Sequence, residues 1–323
     1  MVLDRDRVLY MPTAKPRHDT IVLDDGFRVA VTSVGSRHGT PLVFLHGLGM
    51  SAAAYTEMLE LLAGRGFSVT ALDAADHGGT DPLPWGHTVA DMAEITTRAL
   101  DALGIRAAVM VGHSMGGAMV AEFAAKHPER VLAAILLDAA AGEDYHDAVR
   151  ADASPTLPLR TVQFLAGAGA DLIGDGLRAW RLRSFQECLQ FSHRLRQSIS
   201  GPNCMRAGYA LMRHDTAPLL KAMRDKAVPT VILHGTRDRI VPVLAGAHAA
   251  KLSGGKLYLV QDRYHSWMLS EPKLAATVVD TALTAVQTLD RKQAGSAVFP
   301  HRRRKHTTFR SPASAAVPME MQA

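Results

Sequence analysis

Ala107-Ala108-Val109-Met110-Val111-Gly112-His113-Ser114-Met115-Gly116-Gly117-Ala118-Met119-Val120-Ala121-Glu122 runs from a short apolar strand signal, through a glycine-flanked serine, into helix-forming residues. Gly-x-Ser-x-Gly therefore falls on the tight turn that joins a strand to a helix. A serine at the tip of such a turn sits in a strained backbone conformation, and Gly112 and Gly116 relieve the crowding around it because they lack side chains. The turn also brings Ser114 to the positive end of the following helix, where charge building on a substrate oxygen is favoured.

Outward from this unit the alternation repeats. Apolar runs at 21–23, 28–33, 42–45, 68–72, 107–111, 133–137, 230–233 and 256–260 alternate with helical spacing or composition at 52–65, 89–103, 117–127, 243–252 and 274–289. This is the signature of strand-helix units building a parallel sheet covered on both faces. Asp24-Asp25-Gly26 separates the first two runs as a hairpin turn, so the sequence predicts an antiparallel opening hairpin and six further strands. Between about 142 and 226 the strand signal vanishes and helical pieces are punctuated by Gly and Pro. A segment of that length has structure of its own in a compact domain. We read 142–226 as a helical cap over a core formed by 19–141 and 227–289, and 290–323 as a basic, disordered tail.

The chain has 323 residues, 47% of them hydrophobic and 21% charged, ordinary globular usage that excludes collagenous, coiled-coil and wholly disordered proteins. A chain of this size holds a core without disulfides or a structural metal. Its two cysteines, Cys188 and Cys204, sit in no zinc-ligand spacing and suit a reducing compartment, while leaving open that they are neighbours in space. The first residues mix acids with bases and carry no secretory apolar run, and no stretch has the length of a membrane span, so a soluble cytoplasmic protein is expected. From Asp290 on, seven Lys/Arg stand against Asp290 and Glu320, which accounts for the whole net charge of +5. A neutral body lacks the basic, aromatic face of a nucleic-acid binder, so no nucleic acid is expected as a partner. Arg302, Arg303, Arg304 and Lys305 offer at most a weak contact with an anionic surface.

Gly112-His113-Ser114-Met115-Gly116-Gly117 in this context resembles the nucleophile turn of the α/β-hydrolase fold family, in particular small serine esterases and monoacylglycerol lipases. The resemblance covers about residues 19–289. It implies an α/β architecture, a mostly parallel eight-stranded sheet flanked by helices with an inserted helical cap, and a triad ordered Ser, acid, His along the chain. Ser114 is then the nucleophile. His234-Gly235-Thr236-Arg237-Asp238-Arg239-Ile240-Val241-Pro242 is similar to the family's acid loop, with Asp238 as the acid. Arg263-Tyr264-His265-Ser266-Trp267 is similar to its histidine loop, with His265 as the base and Tyr264 where the family usually has Gly. Asp138, after the run 133–137, is a rival acid because some members draw theirs from that strand. His234, His46 and His113 are rivals of His265. His46-Gly47-Leu48-Gly49-Met50 resembles the family's oxyanion loop, which implies backbone N–H groups of Leu48 and Met115 as the two donors. In Asp73-Ala74-Ala75-Asp76-His77-Gly78-Gly79-Thr80 the pair Ala75-Asp76 departs from the family pattern. Asp76 and His77 lack a third ligand, so this is a turn and not a metal site.

The nucleophile narrows the chemistry. Related epoxide hydrolases and haloalkane dehalogenases use a carboxylate where this chain has Ser114, so acyl chemistry through an acyl-enzyme is favoured, with no cofactor and no metal. The expected partner is a small-molecule ester with a medium-length apolar acyl or alcohol group, lined by Trp267, Tyr264, Met50 and Trp180. Two other readings share the same residues: a carbon-carbon bond hydrolase acting on a vinylogous diketone, and a ligand-binding protein with little turnover.

Overall fold

In the computed structural model, the structure describes residues 15–142, 174, 177, 181, 185–294 and 316–318. The strands are β1 Arg17–Val22, β2 Arg28–Val34, β3 Thr40–Leu45, β4 Phe67–Leu72, β5 Ala108–His113, β6 Val131–Leu137, β7 Thr230–Gly235, β8 Lys256–Val260 and β9 Ala316–Pro318. They form one sheet in the order β1-β2-β4-β3-β5-β6-β7-β8-β9. β1 and β2 pair antiparallel around the Asp24-Asp25-Gly26 turn, β2 pairs antiparallel with β4, and β4 to β8 are parallel. The eight strands read from the sequence are all present. β9 adds three residues of the expected tail, antiparallel to β8.

The helices are α1 Thr56–Gly64, α2 Val89–Ala102, α3 Met115–Lys126, α4 Phe185–Ser198, α5 Cys204–Met212, α6 Ala217–Asp225, α7 Val243–Ser253, α8 Trp267–Ser270 and α9 Pro272–Ala294. Because side chains alternate across a strand, each apolar run splits between two cores. Val43, Leu45, Met110 and Leu136 pack with Met92, Leu100, Met119 and Phe123 of α2 and α3. Leu42, Phe44, Val109, Val111, Ile135 and Leu137 pack on the other face with Met58, Leu59 and Leu62 of α1 and Val279 and Leu283 of α9. α2 is opened by a capping box in which Thr88 and Asp91 exchange side-chain and backbone hydrogen bonds.

Part of the segment 142–226, read as a cap, lies among the described residues. Leu220 and Met223 of α6 are fully buried and pack in the α2 and α3 core, and Ala207, Ala210 and Leu211 of α5 are buried in the same cluster. α4, α5 and α6 belong to the segment read as cap, whose residues from 143 to 184 fall almost entirely outside the described ones. Cys188 and Cys204 are both free, half-buried thiols and do not pair. Among the described residues no helix is long and apolar enough to cross a membrane.

Candidate active site

The parallel strands end at one edge of the sheet, and the chemistry-bearing loops leave from there. β5 delivers Ser114, β6 Asp138, β7 Asp238, β8 His265 and β3 the glycine loop His46-Gly47-Leu48-Gly49. Ser114 is held at φ 52°, ψ −117°, a left-handed conformation that a residue with a side chain adopts only when its surroundings over-determine it. Its N–H donates to Leu137 O at 3.0 Å, and its own carbonyl accepts from Gly117 N at 2.9 Å and Ala140 N at 3.0 Å. The glycines around it are steric necessities: a Cβ on Gly112 would stand 2.2 Å from Gly116 O, and one on Gly116 2.2 Å from Leu45 O. α3 starts at Met115, so the first backbone N–H groups of that helix crowd the serine.

Asp238 and His265 meet across the edge. His265 Nδ1 lies 2.7 Å from Asp238 Oδ2, while Ile240 N and Val241 N donate to Asp238 Oδ1 at 2.9 and 2.8 Å. Burial pushes the Asp238 carboxyl up, but His265, its hydrogen bond, His234 and the Val241 N–H together hold it below the usual carboxylate range. With Nδ1 donating to a carboxylate, the unprotonated ring nitrogen of neutral His265 is Nε2.

The three rival histidines each hold backbone partners. His46 Nδ1 donates to Gly47 O at 2.9 Å and its Nε2 accepts from Ala74 N at 2.9 Å; burial lowers it to about 4, so it is neutral. His234 Nε2 donates to Val241 O at 3.0 Å. His113, next to the serine and lowered to about 3 by burial, donates from Nε2 to His265 O at 3.1 Å and accepts at Nδ1 from the Tyr55 hydroxyl at 2.7 Å. Tyr55 oxygen in turn accepts from Gly47 N at 3.3 Å. A directed chain of hydrogen bonds thus ties the glycine loop of β3, through Tyr55 and His113, to the backbone of His265. Sequence reasoning missed Tyr55, since nothing in Ser51-Ala52-Ala53-Ala54-Tyr55 signals more than a helix start.

Gly47 closes on the serine: a Cβ there would lie 2.8 Å from His113 Nδ1 and 3.3 Å from Ser114 Cβ. Leu48, 37% exposed, follows it and faces Gly208 of α5. The 73–80 turn supports the loop, as expected of turn chemistry. His77 Nε2 accepts from Gly49 N at 3.1 Å with Nδ1 donating to Ala75 O, and burial lowers it to about 3. Asp76, at φ 69°, is buried with its carboxylate 3.4 Å from His87.

The four residues placed in the pocket fare differently. Trp267 is a correction: it is fully buried in the core with its indole N–H donating to Asp138 Oδ2 at 2.6 Å, because an indole this deep needs an acceptor and Asp138 supplies it. Tyr264 is half-buried, with Arg239 over its ring at 5.9 Å and its ring filling the space beside Gly174. Met50 is half-buried, and its carbonyl accepts from Ser200 Oγ at 3.0 Å, linking the glycine loop to the segment after α4. Trp180 and the cluster Arg302 to Lys305 lie outside the described residues.

Asp138, His234 and Asp238 bring ligand-type atoms within 4.8 Å of one another. The carboxylate oxygens already receive Gly235 N, Trp267 Nε1, Ile240 N, Val241 N and His265 Nδ1, so protein donors fill the positions a cation would need.

A sheet of this topology with a strained serine between β5 and α3 defines a hydrolase of the α/β type. Residues 40–272 match the family model for the alpha/beta hydrolase fold, and the chain belongs to that family. It is 53% identical over 267 residues to a putative non-heme haloperoxidase of Mycobacterium phage D29, covering 83% of this chain and 95% of the relative. A bifunctional esterase/perhydrolase of Acinetobacter calcoaceticus is 26% identical over 73% of this chain and 89% of its own length. Among solved structures, an esterase from Rhodococcus sp. ECU1013 superposes with a TM-score of 0.62 at 25% identity, covering 84% of this chain and all of the other.

Proposed function

We propose that the protein is a cytoplasmic serine hydrolase that cleaves small carboxylic esters through an acyl-enzyme. The reading rests above all on the buried Asp238–His265 pair, bonded at 2.7 Å, at the same sheet edge as a serine held at φ 52°. His265 Nε2 takes the proton of Ser114 as Oγ attacks the ester carbonyl, and Asp238 stabilises the imidazolium that forms. The oxyanion is received by the backbone N–H groups of Leu48 and Met115; a single such donor contributes ~3 kcal/mol. Collapse expels the alcohol, protonated by His265. Water, deprotonated by the same nitrogen, then releases the acid and restores Ser114. An apolar acyl or alcohol group fits the neighbourhood of Met50, Leu48 and Tyr264.

The names of the relatives favour a second outcome of the same intermediate. If hydrogen peroxide replaces water, its oxygen attacks the acyl carbon, His265 takes its proton, and a peroxy acid leaves in place of the acid.

Labelling with a fluorophosphonate and an ester panel test the first reading on native protein, Ser114→Ala and His265→Ala. Loss of label and of p-nitrophenyl ester hydrolysis in Ser114→Ala is expected; unchanged labelling overturns it. Bromination of an indicator in carboxylate, peroxide and bromide tests the second.

A further inference from the structure

Behind the Asp238–His265 pair stands an acid that this mechanism does not use. Asp138 is 0% exposed, at the tip of β6, beside the tip of β7 from which the Asp238 loop departs. Gly235 N donates to its Oδ1 at 2.7 Å and Trp267 Nε1 to its Oδ2 at 2.6 Å. A carboxylate oxygen of Asp138 lies within 4.8 Å of one of Asp238, and both side chains are buried. Ionised carboxylates are acceptors only and repel at this range, so two of them buried side by side are compatible when one carries a proton that it can donate to the other. Asp238 holds three donors on its oxygens, one of them the imidazole that becomes cationic in the reaction, whereas Asp138 has two neutral N–H groups and no exposure.

We propose that Asp138 is a neutral carboxylic acid that donates its proton to the Asp238 carboxylate, and is a positioning residue for Asp238 and, through it, for His265. The inference rests on the triad reading above and deepens it: the acid of the triad is a carboxyl-carboxylate pair carrying one negative charge. Two like charges this close, buried together, do not both ionise. The titratable groups facing Asp138 are Asp238 and His234 from β7 and its loop, and His265 beyond Asp238, with His113 touching the His265 backbone. Burial first, and then the Asp238 charge, hold Asp138 well above the ordinary carboxylate range against the pull of its two N–H donors. With its proton in place, Asp138 fixes Asp238 without adding a second charge behind the base. Loss of that proton in alkali replaces the bond by repulsion and displaces the acid that orients His265.

Infrared spectra of the full chain at neutral pH test this. The carbonyl stretch of a protonated carboxylic acid is expected in the native protein and in Ser114→Ala, and its loss is expected in Asp138→Asn. The native pH profile of kcat/KM carries an alkaline decline that Asp138→Asn lacks. Asn supplies one acceptor fewer, so the same comparison is made in a Trp267→Phe background if the single variant does not fold. Absence of the band in native protein, its survival in Asp138→Asn, or identical alkaline limbs overturns the proposal. Fluorophosphonate labelling separates the two readings. Label retained without the band sinks only the neutral Asp138; a band present with Ser114 unlabelled sinks the triad reading.

Discussion

Replacing Tyr55 by Phe keeps the ring, which packs on Phe44 at a centroid distance of 4.7 Å, and deletes only the hydroxyl that links the glycine loop to the histidine loop. Two partners are stranded in a region where Tyr55 is 1% exposed: the neutral Nδ1 of His113 at 2.7 Å and the N–H of Gly47 at 3.3 Å. A buried polar atom left without a partner costs ~1–3 kcal/mol, and the longer bond contributes the smaller share. We therefore expect a loss of ~2–3 kcal/mol by chemical denaturation. The catalytic consequence is separable from this. Gly47 precedes Leu48, and outright removal of an oxyanion donor lowers kcat by ~10²–10³. A donor that is loosened but present should lower it about tenfold, with KM changed less than about twofold, since the bond is needed most in the transition state. Leu100→Ala, in the α2 core and remote from the loop, serves as the control: it loses ~2–5 kcal/mol yet should keep kcat per folded molecule. Tyr55→Phe with lowered stability and native kcat would refute the coupling of this hydroxyl to the proposed oxyanion donor of the glycine loop.

Asp238→Asn should lower kcat by ~10⁴ by presenting His265 with the wrong hydrogen-bond partner, while Ser114 and the glycine loop keep a residual rate; a loss below about tenfold would transfer the role of acid to Asp138. The folded-state pKa of Asp238 is depressed, so its contribution to stability is present above the unfolded carboxylate value of ~4 and is lost as pH falls through the folded value. Denaturation curves should show native protein losing more stability than Asp238→Asn on acidification below about pH 4, and parallel losses would contradict the shift. Gly116→Ala places a Cβ 2.2 Å from the Leu45 carbonyl oxygen and should abolish recovery of folded protein, read by circular dichroism. A folded, active Gly116→Ala would mean that β3 and the serine turn are not in close contact.

The sheet was legible because its central strands are buried on both faces and so read as unbroken apolar runs. β1 was legible only at its end: Arg17, Asp19 and Thr20 are exposed edge residues that carry no strand pattern. Where α5 and α6 dock was not legible, because a helix reveals its apolar stripe in sequence but not the element it packs on; Leu211, Leu220 and Met223 pack with the α2 and α3 core. In the site, the glycine-flanked serine and the two downstream loops are local signals, each set by a strand end and its turn. The sequence ranks Asp238 above Asp138 only through the resemblance of 234–242 to an acid loop; nothing local to either residue shows which partners its carboxyl will meet. Both acids follow tips of adjacent parallel strands, and parallel pairing at Leu137 and Leu233 brings them together from opposite ends of the cap insertion. Their roles diverge only because the loop after β7 turns the N–H groups of Ile240 and Val241 toward Asp238, and the loop after β8 offers it His265, while Asp138 receives an indole from α8. The donors that the ends of β7 and β8 bring to each carboxyl are what favour Asp238 as the acid of the proposed triad, and they converge only once the sheet has formed.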